Sequence, residues 1–152
     1  MANESIKKAL HEACLEFVNE RIKNAEEAIV SAQESANEET KSSAGDKYTT
    51  GRAMIHREVE NLSVQLAEAR KLEEILINMN PKVSNNNVSQ GALVITSMGN
   101  YYVSVSAGKL TVKGDDYYAI APASPICKAM KGLKKGDKFE WNAKNVTIKE
   151  IH

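Results

Sequence analysis

The sequence predicts an α+β chain, with a long antiparallel helical hairpin (coiled coil) at the N-terminus and then a small antiparallel β-sheet domain carrying one short helix. Three observations carry this expectation. Apolar residues in the first half recur every 3.5 positions on average, in two stretches parted by a polar gap. An Asn80-Pro81 pair and the polar run Lys82–Asn87 then interrupt the chain. Beyond Val88 the pattern changes to short β-branched and aromatic runs punctuated by glycine.

The first stripe is Leu15, Val18, Ile22, Ala25, Ile29, Ala32 and Ala36, on a helix predicted over about Glu4 to Glu38. At 1.5 Å per residue that helix runs on the order of 50 Å. Asn3 or Ser5 is its expected cap, because their side-chain oxygens accept from unpaired amides of the first turn. Residues 37–51, NEETKSSAGDKYTTG, hold two glycines, two serines and three threonines, with no aliphatic larger than alanine. This is the composition of a turn or a frayed helix end. The second stripe, Ile55, Val59, Leu62, Leu66 and Ala69, predicts a helix from about Thr50 to Asn78, slipping near Glu73 to Leu72, Ile75 and Leu76. Two facing stripes satisfy each other within one chain, so a monomer is expected. The predicted domains are a hairpin over 1–80 with its tip at about 37–51, a linker over 81–87, and a second domain over 88–152. In that domain strands are predicted at Ala92–Thr96, Tyr101–Ser106, Lys109–Lys113 and Tyr117–Ile120. A helix follows at Ser124–Lys131, then a turn at Lys134–Asp137 and a hairpin of Phe139–Asn142 with Asn145–Ile151.

Charge is divided unevenly although the whole chain is neutral. Residues 1–80 carry 10 Lys+Arg against 15 Asp+Glu, and residues 81–152 carry 10 Lys against 5 acids. An acidic hairpin and a basic second domain imply different partners for the two parts. The N-terminus lacks a signal-peptide core and no apolar run reaches the roughly 18 residues of a membrane span, so a cytoplasmic protein with no membrane partner is expected. Cys14 and Cys127 fall in different predicted domains, and the three histidines are scattered, so neither a disulfide nor a metal site is expected.

The segment Ile120–Asp137, IAPASPICKAMKGLKKGD, resembles the C-terminal signature of the Gre transcription elongation factors, Ser-Pro-Leu-Gly-Lys-Ala-Leu-Leu-Gly followed by a Gly-Asp turn. Ser124, Pro125, Lys128, Ala129, Gly132, Gly136 and Asp137 match. Cys127 stands where the family usually has glycine, and Lys131 replaces an apolar residue. The order of hairpin, linker and head matches as well. The resemblance implies an FKBP-like head without isomerase function, and a role in transcription regulation. It implies binding to RNA polymerase, with the hairpin inserted in the secondary channel and the head motif at the channel rim. In that family two acidic tip residues help hold the second Mg²⁺ of the polymerase, which then cleaves backtracked RNA. The factor itself is then no autonomous enzyme and has no cofactor of its own.

The tip departs from the family pattern. Anchoring a gapless alignment on Tyr48 and Arg52 puts Lys41 and Ala44 at the two acidic positions; aligning through Glu39-Thr40-Lys41 leaves Glu39 with Ser42. Glu38, Glu39 and Asp46 are the tip carboxylates, and they read equally as exposed helix-end and turn charges. A polymerase-binding homologue without cleavage activity is the alternative. A second alternative is a nucleic-acid-binding module: Lys128, Lys131, Lys134, Lys135 and Lys138 cluster in sequence and present phosphate-binding charge to RNA or DNA. The nearby Tyr101, Tyr102, Tyr117, Tyr118 and Trp141 are expected in the small core and at its edges. A lone enzyme would need Cys127 as a thiolate at a helix start together with a positioned base, and His11, His56 and His152 offer none nearby in sequence.

Overall fold

The computed structural model describes residues 2–41 and 45–152, with side chains for 3–38 and 51–152. Two helices, α1 (Ala2–Lys41) and α2 (Gly45–Asn78), precede β1 (Leu93–Thr96), β2 (Asn100–Val103), β3 (Gly108–Val112), β4 (Asp115–Ile120), α3 (Pro125–Met130), β5 (Lys138–Trp141) and β6 (Lys144–Ile151). The chain forms two compact units. Val18–Glu73 make one; Met1–Phe17 with Glu74–His152 make the other. Residues 81–87 thus lie inside the second unit, which also takes in the first turns of α1 and the last turn of α2.

The helical unit follows its stripes. Ala25, Ala32 and Ala69 are buried, Ile22, Ile29, Ile55, Val59, Leu62 and Leu66 are half-buried, and most positions between them are exposed. Only residues 42–44 separate the helices, so Lys41 and Gly45 lie within about 15 Å. Arg70 meets Glu26 at 3.8 Å, so α2 runs back along α1 as an antiparallel hairpin. Both helices reach further into the 37–51 segment than predicted: α1 continues through Lys41 and α2 starts at Gly45. Glu39 and Lys41 favour the extension of α1, whereas Gly45, Asp46 and Thr49 in that of α2 are weak helix formers, so propensity alone does not account for the second.

In the sheet unit six strands form one mixed sheet in the order β3-β4-β2-β1-β6-β5. The expected antiparallel pairing holds throughout except at β2 with β4, which run parallel. The parallel pair arises because β4 first pairs back on β3 through Gly108↔Ala119 and then lies beside β2 through Tyr102↔Ala119. One sheet face packs on α3 through Val94, Tyr101, Val103, Ile148, Cys127 and Met130. The other face carries Leu93, Tyr102 and Ala119, which are direct cross-strand partners, and meets the start of α1. There Leu10, Cys14 and Leu76 are fully buried.

Two local expectations are corrected. Asn3 and Ser5 lie inside α1 rather than capping it, because helix begins at Ala2; Ser5 Oγ instead accepts from Lys113 Nζ at 3.3 Å. Ile75 is 37% exposed while Leu76 is fully buried, so the slipped stripe keeps one of its two adjacent aliphatics. Adjacent helix positions stand about 100° apart, and here the buried face of α2 takes Leu76 and leaves Ile75 at its edge. α2 ends where Asn80 turns the chain: its Oδ1 accepts from Lys82 N–H at 3.0 Å and its carbonyl from Val83 N–H at 3.2 Å.

Candidate functional site

The motif of residues 120–137 folds around α3. Pro125 occupies the first helical turn, where its missing N–H leaves no bond unmade. Ser124 stands at the N-cap with φ −65° and ψ 149°, but its hydroxyl does not cap; it donates to the Ala121 carbonyl at 2.7 Å. The helix start is held instead by the Ser124 carbonyl, which accepts from Lys128 N–H at 3.0 Å. Cys127 and Met130, three apart, enter the core, while Lys128, Ala129 and Lys131 face outward. Gly132 ends the helix at φ +78°, and its N–H donates to the Val88 carbonyl at 3.0 Å. Gly136, at φ +91°, turns the chain toward β5, with its N–H on the Ile148 carbonyl at 2.8 Å. Asp137 closes that turn: Oδ2 accepts from Lys134 N–H at 2.8 Å. The backbone therefore already engages Ser124, Gly132, Gly136 and Asp137.

The lysines supply the outward chemistry. Lys128, Lys131, Lys134, Lys135 and Lys138 are exposed, and none has an ion pair among the described residues. They do not all share one face. Phe139 packs on the α3 side and pairs with Val146, so Lys138, which pairs with Thr147, points to the opposite side of the sheet. Lys128, Lys131, Lys134 and Lys135 remain along α3 and the turn that follows it.

Of the tip residues, Glu38 is exposed near the end of α1 and Arg52 is exposed on α2. The side chains of Glu39, Lys41, Asp46 and Tyr48 lie outside the described residues. Among the described residues no three His, Cys, Asp or Glu side chains gather as metal ligands, and no helix is long and apolar enough to cross a membrane.

A cluster that the sequence reading did not single out lies on the α1 face of the sheet. Lys7 is 2% exposed; its Nζ donates to the Val83 carbonyl at 2.6 Å and the His152 carbonyl at 3.2 Å. His11 Nδ1 lies 3.0 Å from the Tyr102 hydroxyl, and Cys14 Sγ lies 3.5 Å from Ser104 Oγ. Burial lowers the pKa of Lys7 and of His11; for His11 a hydrogen bond to Leu76 and the charge of Glu12 oppose it. The same burial pushes the Tyr102 hydroxyl up. The spacing 7, 11, 14, 18 was the available signal: it extends the helical stripe toward the N-terminus through polar residues. These groups bind α1 to the sheet and leave no open nucleophile. Cys127 fares likewise. Burial pushes its thiol up, against the opposing pull of Lys131, and His11 contacts the sheet face away from it. Tyr101, Tyr102 and Tyr117 are buried in the core, and Tyr118, 42% exposed, stands at its edge.

No family model matches this chain, and no curated protein matches it. Among solved structures, the structure of the transcription factor Gfh1 is similar at 16% identity, covering 91% of this chain and 92% of that chain. The TM-score is 0.37, and at that value the overlay of the two whole chains carries no weight.

Proposed function

We propose that this chain is a Gre-like transcription elongation factor that binds RNA polymerase, its hairpin entering the secondary channel and its head resting at the rim. The single observation that supports it is the motif Ser124-Pro125, Lys128, Gly132 and Gly136-Asp137 on the head of a chain that begins with an antiparallel hairpin. The factor works through the polymerase active site, whose Mg²⁺ the tip carboxylates Glu39 and Asp46 would approach, and it catalyses nothing alone. A second reading is favoured by the tip itself: gapless alignment leaves Lys41 and Ala44 at the acidic positions, as in a channel occupant without cleavage activity.

Full-length protein is mixed with core polymerase and the complex isolated at low salt. Retention is expected, and its absence would overturn the proposal. Backtracked elongation complexes then separate the two readings. RNA shortened by the wild type and left long by Glu39→Ala/Asp46→Ala supports tip-assisted cleavage. RNA left intact by both, with binding retained, supports the second reading.

A further inference from the structure

The head contains a cavity of about 340 Å³ whose lining includes Gly132 of the motif and its neighbours Cys127 and Lys131. Its size lies at the low end of small-ligand sites, roughly 300–1,000 Å³. The inner wall is apolar: Val88, Val103 and Cys127 line it and are 1%, 0% and 3% exposed. Pro122 extends the apolar wall outward, while Gln90 and Lys131 stand at the rim. The end of α3 forms part of the cavity wall. Gly132 leaves the helix at positive φ, and a Cβ placed on it would meet nothing within 4 Å.

The walls are held by backbone bonds rather than by side chains. Val88 N–H donates to the Leu133 carbonyl at 2.9 Å, Gly132 N–H returns to the Val88 carbonyl at 3.0 Å, and Asn87 bridges Lys134. A ligand therefore meets a formed site and loses little in ordering it. Charge is one-sided. Lys131 is the one charged residue lining the cavity among the described residues, no carboxylate faces it, and its ammonium has no ion pair there. Lys131 is also close enough to Cys127 to act on its thiol.

From the apolar wall, the lone cationic rim and the fixed mouth we infer that this cavity binds a free small amphiphilic anion, an apolar body ending in a carboxylate or sulfonate. The apolar part lies against Val88, Val103 and Cys127, and the anionic end pairs with Lys131. The cavity shares Gly132 with the motif of the polymerase reading, but the inference does not depend on that reading and its test needs no polymerase.

Full-length protein is titrated with 8-anilinonaphthalene-1-sulfonate, followed by displacement with octanoate. A saturable fluorescence rise at one probe per chain, reversed by octanoate, is expected. Lys131→Glu should weaken probe binding at least tenfold, and Gln90→Trp, which plugs the mouth, should abolish the rise. Both sites are at the surface, and unchanged thermal midpoints will show that the variants fold. In the wild type, amide chemical-shift changes should concentrate at residues 87–90 and 131–132, which reads the site without any substitution. No saturable signal, as expected of a cavity reserved for a partner polypeptide, overturns the inference. So do shifts centred elsewhere, or binding that both variants leave unchanged.

Discussion

His11 lies against the sheet with Nδ1 3.0 Å from the Tyr102 hydroxyl, and burial holds its pKa below the ordinary 6.5. The unfolded chain therefore takes up this proton at higher pH than the native one. Stability from this residue is fully present above about pH 6.5 and is lost as pH falls below that value, levelling off once the native ring is also protonated. Urea unfolding of the wild type at a series of pH values should show the decline, and His11→Gln should flatten it; parallel curves for the two proteins would rule this out. Asp137 makes a smaller contribution, through geometry. Its carboxylate closes the turn on Lys134 N–H at 2.8 Å, so Asp137→Ala should cost about 1 kcal/mol while Asp137→Asn, which keeps an acceptor, should cost less. Paired thermal melts would separate the two.

Among the elements, α2 best shows how one turn of helix sorts neighbours. Leu76 is 0% exposed and Ile77 66% exposed, although the two residues are nearly equal in hydrophobicity. Leu76→Ala should destabilise by about 2–5 kcal/mol through lost burial and the cavity left behind. Ile77→Ala should stay within about 0.5 kcal/mol. Similar denaturation midpoints for the two variants would show that α2 does not present Leu76 to the sheet. α3 is too short to persist by propensity alone. It is held by Cys127 and Met130 in the core at one side and by the Gly132 bond to Val88 at its end.

For the whole molecule the uneven charge makes a prediction. The head's free lysines meet any acidic partner through screened, exposed charges, so polymerase binding should weaken as salt rises. Lys128→Glu/Lys134→Glu should lower the affinity and reduce the salt slope, without moving the thermal midpoint. Salt-independent binding would assign the contact to apolar surface instead. Much of this organisation was legible in the chain. The 3.5-residue stripes marked both helices, and the switch to period two marked the strands, because each pattern follows from backbone geometry that neighbouring residues share. Gly132 and Gly136 were legible as turn formers for the same local reason, and both have positive φ.

Other features depended on contacts between distant segments. Ser124 has the composition of a cap, but the carbonyl of Ala121 takes its hydroxyl. Lys138 clusters with four other lysines in sequence, and strand register turns it to the other face. The Lys7, His11 and Cys14 cluster came into view only when α1 met Val83, Tyr102 and Ser104. Periodicity and turn chemistry act over a few residues, so they specify elements and where those elements stop. Which side chain finds which partner is an affair of long-range packing, and the burial that perturbs His11 or opens the cavity beside Cys127 arises nowhere else.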